Sequence, residues 1–173
     1  MTKKKVKKEV PVEENTALRY NKGKPELDYI LDMGPDITAL LYSSCLNTLE
    51  GDASLVVLSE IYKTILEKKS YDDTRKLCLR VLQGLYAYAN VEDIFIEVSK
   101  VCMFGASKYE RDNWKKGLSY ANLLNSAGRH ILKIQDGVYK DRESKVPHAG
   151  HVAWNLCVLL WFYQKECDKR NKK

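Results

Sequence analysis

The sequence predicts an all-α fold, a single-domain bundle of about six helices, and three observations carry the prediction. Glycine (9) and proline (4) are sparse in a chain of 173 residues. Apolar residues make up 45% of it, enough for one domain to enclose a core. They recur at three- and four-residue intervals over long runs, which is the helical period and not the strand period.

Residues 1–16 are charged and periodless, and read as a disordered basic tail ahead of a single helical domain at 17–167. Asn21-Lys22-Gly23-Lys24-Pro25 is turn chemistry: Gly23 accepts positive φ, and Pro25 pushes Lys24 out of the helical region. Arg19, Lys22 and Lys24 gather there, which suits a solvated turn or a phosphate-contacting loop. Residues 36–90 read as three helices. Asp36 is the expected N-cap of the first, which reaches Leu49 and breaks at Glu50-Gly51-Asp52. The second runs from Ala53 to Lys68, with Leu55, Leu58, Ile61, Tyr62, Ile65 and Leu66 at core-facing intervals. The third starts at Asp72 or Asp73 and reaches Ala89. No catalytic constellation appears in this block; its stripes are packing surface for the core or for a partner subunit.

The fourth helix, Val91 to Gly105, opens on Glu92 and Asp93, as a helix N-terminus favours. Glu97 shares a face with Val101 and Phe104, so it is either a boundary carboxylate or a ligand if other charges converge on it. Residues 105–117 read as irregular and carry Lys108, Tyr109, Arg111, Asn113 and Trp114. Aromatics interleaved with cations and an amide suit a base and its phosphates; they equally suit a loop pinned by its own rings. The fifth helix, Tyr120 to Gln135, sets Ser126, Arg129, His130 and Lys133 beside an apolar stripe and ends at Asp136-Gly137. The loop from Val138 to Pro147 brings Asp141 and Glu143 in an extended piece, a pair that can hold a hard cation or cap the next helix. The sixth helix runs from His148 to Cys167, and 168–173 is a basic tail.

All three histidines fall in the last third of the chain. His148 and His151 share a stripe with Asn155 at the helix end that follows the Asp-x-Glu loop. One histidine on an apolar face is usually core; two with an amide point to a site. Neither His-Glu-x-x-His nor a His-Asp doublet occurs, so zincin and HD-type hydrolase readings lack their signatures.

The formal charge of +6 does not mark a nucleic-acid binder. Residues 1–14 hold five Lys against three Glu, and 165–173 hold four Lys and one Arg against Glu166 and Asp168, so the two ends carry +2 and +3 and the body is nearly neutral. The five cysteines are an odd, widely spaced set without a CxxC pair, and four lie on apolar stripes as reduced thiols. No run of 18 apolar residues and no signal peptide appear, so the expected protein is soluble and cytoplasmic, with no membrane partner.

One ordered set of short motifs goes further. Arg19-Tyr20-Asn21-x-Gly23-Lys24-Pro25, Phe104-Gly105-Ala106-x-Lys108-Tyr109, Asn113-Trp114-x-Lys116-Gly117, Arg129-His130, Asp141-x-Glu143-Ser144, His148-x-x-His151 and Trp154-Asn155 resemble, in that order, a phage-associated family of dATP/dGTP diphosphohydrolases (N-terminal-domain type). The likeness covers residues 18–30 and 91–162. More loosely the chain is similar to the all-α nucleotide pyrophosphohydrolases of the MazG type, whose two Glu-x-x-Glu/Asp pairs it does not cleanly contain. Relative to shorter members, 36–90 is a helical insertion, a place for a dimer interface, a reshaped pocket or the conversion of the enzyme into a binder; a homo-oligomer is the expectation.

The resemblance implies hydrolysis of a purine deoxynucleoside triphosphate to the monophosphate and pyrophosphate, in the host bacterial cytoplasm if phage-encoded. That chemistry needs a neutralised triphosphate and an aimed water. Glu97, Asp141 and Glu143 are the expected ligands of Mg²⁺, with Mn²⁺ as the alternative, and Glu143→Gln is expected to abolish turnover. Lys24, Lys108 and Arg129 are assigned to phosphates, Tyr109 and Trp114 to the base, and Arg19, Asn113 and His130 complete the nucleotide-binding set. His148 or His151 is the expected general base, oriented by Asn155. The runner-up is a non-catalytic phage sponge that sequesters a cyclic or modified nucleotide of host defence. A nucleic-acid accessory protein that works through its basic tails ranks third.

Overall fold

The computed structural model describes residue 29 and residues 33–46, 55–89 and 94–172. The expected basic tail at 1–16 and the turn with Arg19 and Lys24 lie outside the described residues. Six α-helices account for most of the rest: α1 (Pro35–Leu46), α2 (Leu55–Leu66), α3 (Tyr71–Ala89), α4 (Ile94–Lys108), α5 (Tyr120–Gln135) and α6 (His148–Asn171). A 3₁₀ turn at Asn113–Lys116 joins α4 to α5, and the β-structure among the described residues is one isolated bridge between Lys140 and Pro147. The all-α prediction holds.

α6 is the axis of the fold. From His148 to Leu160 every residue but Trp154 is buried, so this helix is enclosed on all sides, as a central core helix is. It packs most extensively on α5, then on α4 and α3. Leu156, Leu159 and Leu160 are each fully enclosed, and truncating one to Ala would cost about 2–5 kcal/mol. Buried residues of 36–90, among them Ile37, Leu40, Ile61, Val81 and Leu82, belong to the same core cluster. On α2, Leu55, Val56, Tyr62 and Leu66 remain exposed.

Several boundaries differ from the sequence expectation, each for a local reason. α1 starts two residues earlier than an Asp36 N-cap implies, with Pro35 in its first position after Gly34 at φ +99°, because proline fits a first turn that needs no N–H. Asp36 is therefore inside the helix, where its carboxylate accepts from the Gln164 amide. α3 starts at Tyr71 because Ser70 Oγ accepts the Asp73 N–H at 3.1 Å and donates to the Asp73 carboxylate at 2.7 Å. Gly105 does not end α4, which runs one turn further to Lys108; an interior glycine costs about 1 kcal/mol, and packing on α6 outweighs it. α5 begins and ends as expected, capped by Ser119 Oγ accepting the Asn122 N–H at 3.2 Å and closed by Gly137 at φ +76° with Val138 N–H donating to Lys133 O.

The expected basic tail from 168 continues α6 to Asn171. Arg170 pairs with Glu166 one turn back at 3.3 Å and donates to Lys69 O at 3.2 Å, tying the helix end to the α2–α3 turn. Cys78, Cys102, Cys157 and Cys167 are buried free thiols, and burial pushes Cys102 up to about 12. Among the described residues no helix is long and apolar enough to cross a membrane.

Candidate active site along the α5–α6 seam

α5 and α6 run antiparallel, and polar residues line up along their seam. Along α5 and its C-cap, Asn122, Ser126, the neighbours Arg129 and His130, Lys133 and Asp136 recur at three- and four-residue steps; on α6, His148, His151 and Asn155 do the same. Asn155 Nδ2 donates to Ser126 Oγ at 3.3 Å. One turn further along α5, His130 meets both α6 histidines. Its ring stacks on His151, centroids 4.5 Å apart and planes 10° from parallel, and its Nδ1 lies 2.6 Å from His148 Nδ1.

Three imidazoles this close cannot all charge. Burial lowers the pKa of each, most of all His130, which falls to about 4 under burial and the neighbouring His151 and His148 rings. All three are neutral at pH 7 and each keeps a ring nitrogen able to accept a proton.

The loop before α6 brings a fourth group. Asp141 N–H donates to Val146 O at 2.9 Å and Lys145 N–H to Asp141 O at 3.1 Å; across the Lys140–Pro147 bridge, His148 N–H donates to Tyr139 O at 2.8 Å. Inside this pinned loop Asp141 Oδ2 accepts three hydrogen bonds: from Ser144 N–H (2.8 Å), Ser144 Oγ (3.0 Å) and Glu143 N–H (3.1 Å). Burial pushes the Asp141 carboxyl up, but these donors and the His151 ring outweigh it and hold it below the usual carboxylate range. Ser144 Oγ also meets His151 Nε2 at 2.8 Å.

Two cavities lie along the seam. Near Asn155, one of about 320 Å³ is bounded by Trp114, Trp154, Tyr109 and the side chains of Asn113 and Asn122. Near His148, an open cleft of about 640 Å³ is bounded by His130, Arg129, Lys133, Lys140 and Arg142, with Asp136 and Asp141. Among the described residues Arg129, Lys140 and Arg142 hold no ion-pair partner, while Lys133 pairs with Asp136 at 3.7 Å. From Asn155 to His148 the helix rises about 10 Å, with His151 between. An aromatic cavity and a cationic cleft therefore sit at the two ends of a histidine row.

A family model described as dATP/dGTP diphosphohydrolase, N-terminal, matches residues 67–172. The chain belongs to this family. The matched residues hold α3 through α6 and every group described above. A protein of Salmonella phage PMBT28 named dATP/dGTP diphosphohydrolase is 37% identical over 65 residues, 38% of this chain and 22% of the relative. The match thus spans about a fifth of that relative's length. No solved structure matches the chain.

Within this dATP/dGTP diphosphohydrolase-family chain the expected site residues that the structure describes divide into three groups and one outlier. His130, His148, His151 and Asp141 converge, with Arg129 at the cleft. Tyr109, Asn113, Trp114 and Asn155 surround the aromatic cavity; Trp114 is also pinned edge-on against Trp161 at 4.9 Å and Phe162 at 6.2 Å. Lys108 pairs with Glu143 at the surface. Glu97 stands apart: it packs against Gly150, its Oε1 takes a 2.8 Å bond from Lys100, and its Oε2 is buried without a partner.

The carboxylates expected to hold a divalent ion do not fit that task as a set. Among the described residues no three His, Cys, Asp or Glu groups are placed to share an ion. Asp141 is occupied as a turn cap, in a turn at 142–144 where an extended piece was expected. Asn155 does not orient an imidazole; its amide donates to His151 O at 2.7 Å and to Ser126. The group that holds the His151 ring is Ser144, which the sequence showed in the Asp141-x-Glu143-Ser144 motif but to which no role was assigned. An Asp-x-x-Ser step in a short loop was the available signal, since it favours this side-chain-capped turn. Lys140 and Arg142, missed likewise, read in sequence as ordinary loop cations.

Proposed function

We propose that this chain hydrolyses dATP or dGTP to the deoxynucleoside monophosphate and pyrophosphate. The observation that carries the reading is the order along the seam: aromatic cavity, neutral imidazoles, cationic cleft. A nucleoside triphosphate has the same order of base, α-phosphate, then β- and γ-phosphates. The base enters between the rings of Trp114 and Tyr109, where the Asn113 and Asn122 amides can meet its edge. The terminal phosphates extend towards Arg129, Lys140 and Arg142, whose charge stabilises the departing pyrophosphate.

The α-phosphorus then falls beside His151, the middle of the row. A water attacks it, the new P–O bond forms, and the bond from phosphorus to the α–β bridging oxygen breaks. His151 accepts the water proton, which its neutral state at pH 7 allows. Mg²⁺, or Mn²⁺ in its place, enters this reading with the triphosphate it neutralises, and no step here runs through a protein-held ion. A cytoplasmic location and a homo-oligomer built on the exposed α2 face belong to the same proposal.

Mass spectrometry of a panel of eight ribo- and deoxyribonucleoside triphosphates, incubated with the protein with and without Mg²⁺, tests it. Conversion of dATP or dGTP to monophosphate with equimolar pyrophosphate is the expected result. A nucleotide retained intact, insensitive to EDTA, would overturn hydrolysis in favour of sequestration.

A further inference from the structure

We propose that Ser144 is a positioning residue that fixes which ring nitrogen of His151 carries the proton, leaving Nδ1 as the basic atom. Ser144 Oγ lies 3.0 Å from Asp141 Oδ2, 2.8 Å from His151 Nε2 and 3.2 Å from Val146 N. A hydroxyl has one proton to give and two lone pairs to receive with. Val146 N–H can only donate, which uses one lone pair. Asp141 Oδ2 already takes two backbone N–H groups, so it is an ionised acceptor with no proton to give. Two oxygens 3.0 Å apart need a hydrogen between them, and only Ser144 can supply it. The remaining lone pair faces His151 Nε2, which must therefore be the N–H form.

The consequence is that Nδ1 of His151 holds the free lone pair; among the described residues it makes no hydrogen bond. The arrangement also rules out Ser144 as a nucleophile. Its proton goes to Asp141 rather than to a base, and both lone pairs are engaged. The order is Asp, Ser, His, whereas an activated serine needs its proton directed at the imidazole. The catalytic consequence rests on the reading of His151 as general base; the tautomer does not.

The test separates the two. Long-range ¹H–¹⁵N correlation spectra of the labelled, nucleotide-free protein at pH 7, assigned with His130→Gln and His148→Gln, report which His151 nitrogen is protonated. Protonated Nε2 and bare Nδ1 are expected in the native protein and in Ser144→Thr, which keeps the hydroxyl, while Ser144→Ala should give a mixture of both tautomers. A native His151 protonated at Nδ1 would overturn the proposal, even if Ser144→Ala failed to fold. Where dATP or dGTP is turned over, Ser144→Ala is expected to lower kcat on the order of tenfold or more with KM little changed, and Ser144→Thr to recover most of it. A native protein with the expected tautomer but no turnover would sink the hydrolase reading and leave this one standing.

Discussion

His130 and His151 lie face to face across the α5–α6 seam, 10° from parallel with centroids 4.5 Å apart, while His130 Nδ1 lies 2.6 Å from His148 Nδ1. A proton placed on any ring faces two others in a part-buried site. His130, at about 4 in the folded chain against an ordinary 6.5, refuses protons that the unfolded chain accepts. The stability this confers is complete above pH 6.5 and is lost as pH falls through 4, since in that window the unfolded state binds more protons. After discounting for the part of the ring open to solvent, His130 accounts for about 2 kcal/mol. Urea midpoints should fall between pH 7 and pH 5, above the range where ordinary carboxylates titrate, and His130→Gln should flatten the decline. A midpoint that holds steady down to pH 4.5 would contradict this account.

Gly150 lies where α4 crosses α6. A methyl group there would sit 2.9 Å from Glu97 Cβ and 3.2 Å from Glu97 C and O, and backbone cannot yield cheaply. Gly150→Ala should cost about 1–3 kcal/mol in chemical denaturation. Gly128→Ala is the control: its added carbon meets only leucine side-chain tips at 3.4 and 3.6 Å and should be tolerated. Equal behaviour of the two variants would mean that the crossing is looser than its geometry.

The cleft cations should act on binding. On the proposed reading, replacing Arg129, Lys140 or Arg142 with Ala removes a charge-assisted bond to phosphate, about 1.5 kcal/mol or roughly tenfold in kcat/KM, with stability nearly unchanged. Steady-state kinetics at two salt concentrations would check this, because phosphate contacts of this kind weaken as salt rises. Unaltered kcat/KM in all three variants would remove the cleft from the site.

His151→Gln keeps a polar side chain but no group that titrates near neutrality. Its kcat should fall about 10²–10⁴-fold while nucleotide retention persists. Pyrophosphate release and equilibrium binding, measured on the same preparation, separate the two effects.

Glu143 lies on the surface in an ion pair with Lys108. An exposed ion pair adds little to stability, so Glu143→Gln should leave the denaturation midpoint nearly unchanged. Loss of turnover in that variant would then report on chemistry and not on folding.

Most of the fold was legible in sequence because it rests on helical periodicity and local capping: α5 ended at Asp136-Gly137 and α6 began at His148 as expected. The capping of α3 by Ser70 and the docking of Arg170 on Lys69 were less visible. One is a polar residue just outside the apolar pattern, the other a contact between distant segments. The same division holds at the site. Polar residues repeated on one helical face pointed to His130, His148 and His151, since spacing alone puts them on a stripe. Pairing the stripes needed the antiparallel docking of two helices. Glu97 illustrates the limit: its place on α4 was readable, but that α6 would press Gly150 against it was not.

The closed loop between α5 and α6 has one more effect. Its ends are joined by the Lys140–Pro147 bridge and its interior is stitched from Asp141 to Val146. The freedom that a slack segment would surrender when a ligand arrives has already been given up during folding. Encounters at His151 should accordingly show little entropic penalty from this segment.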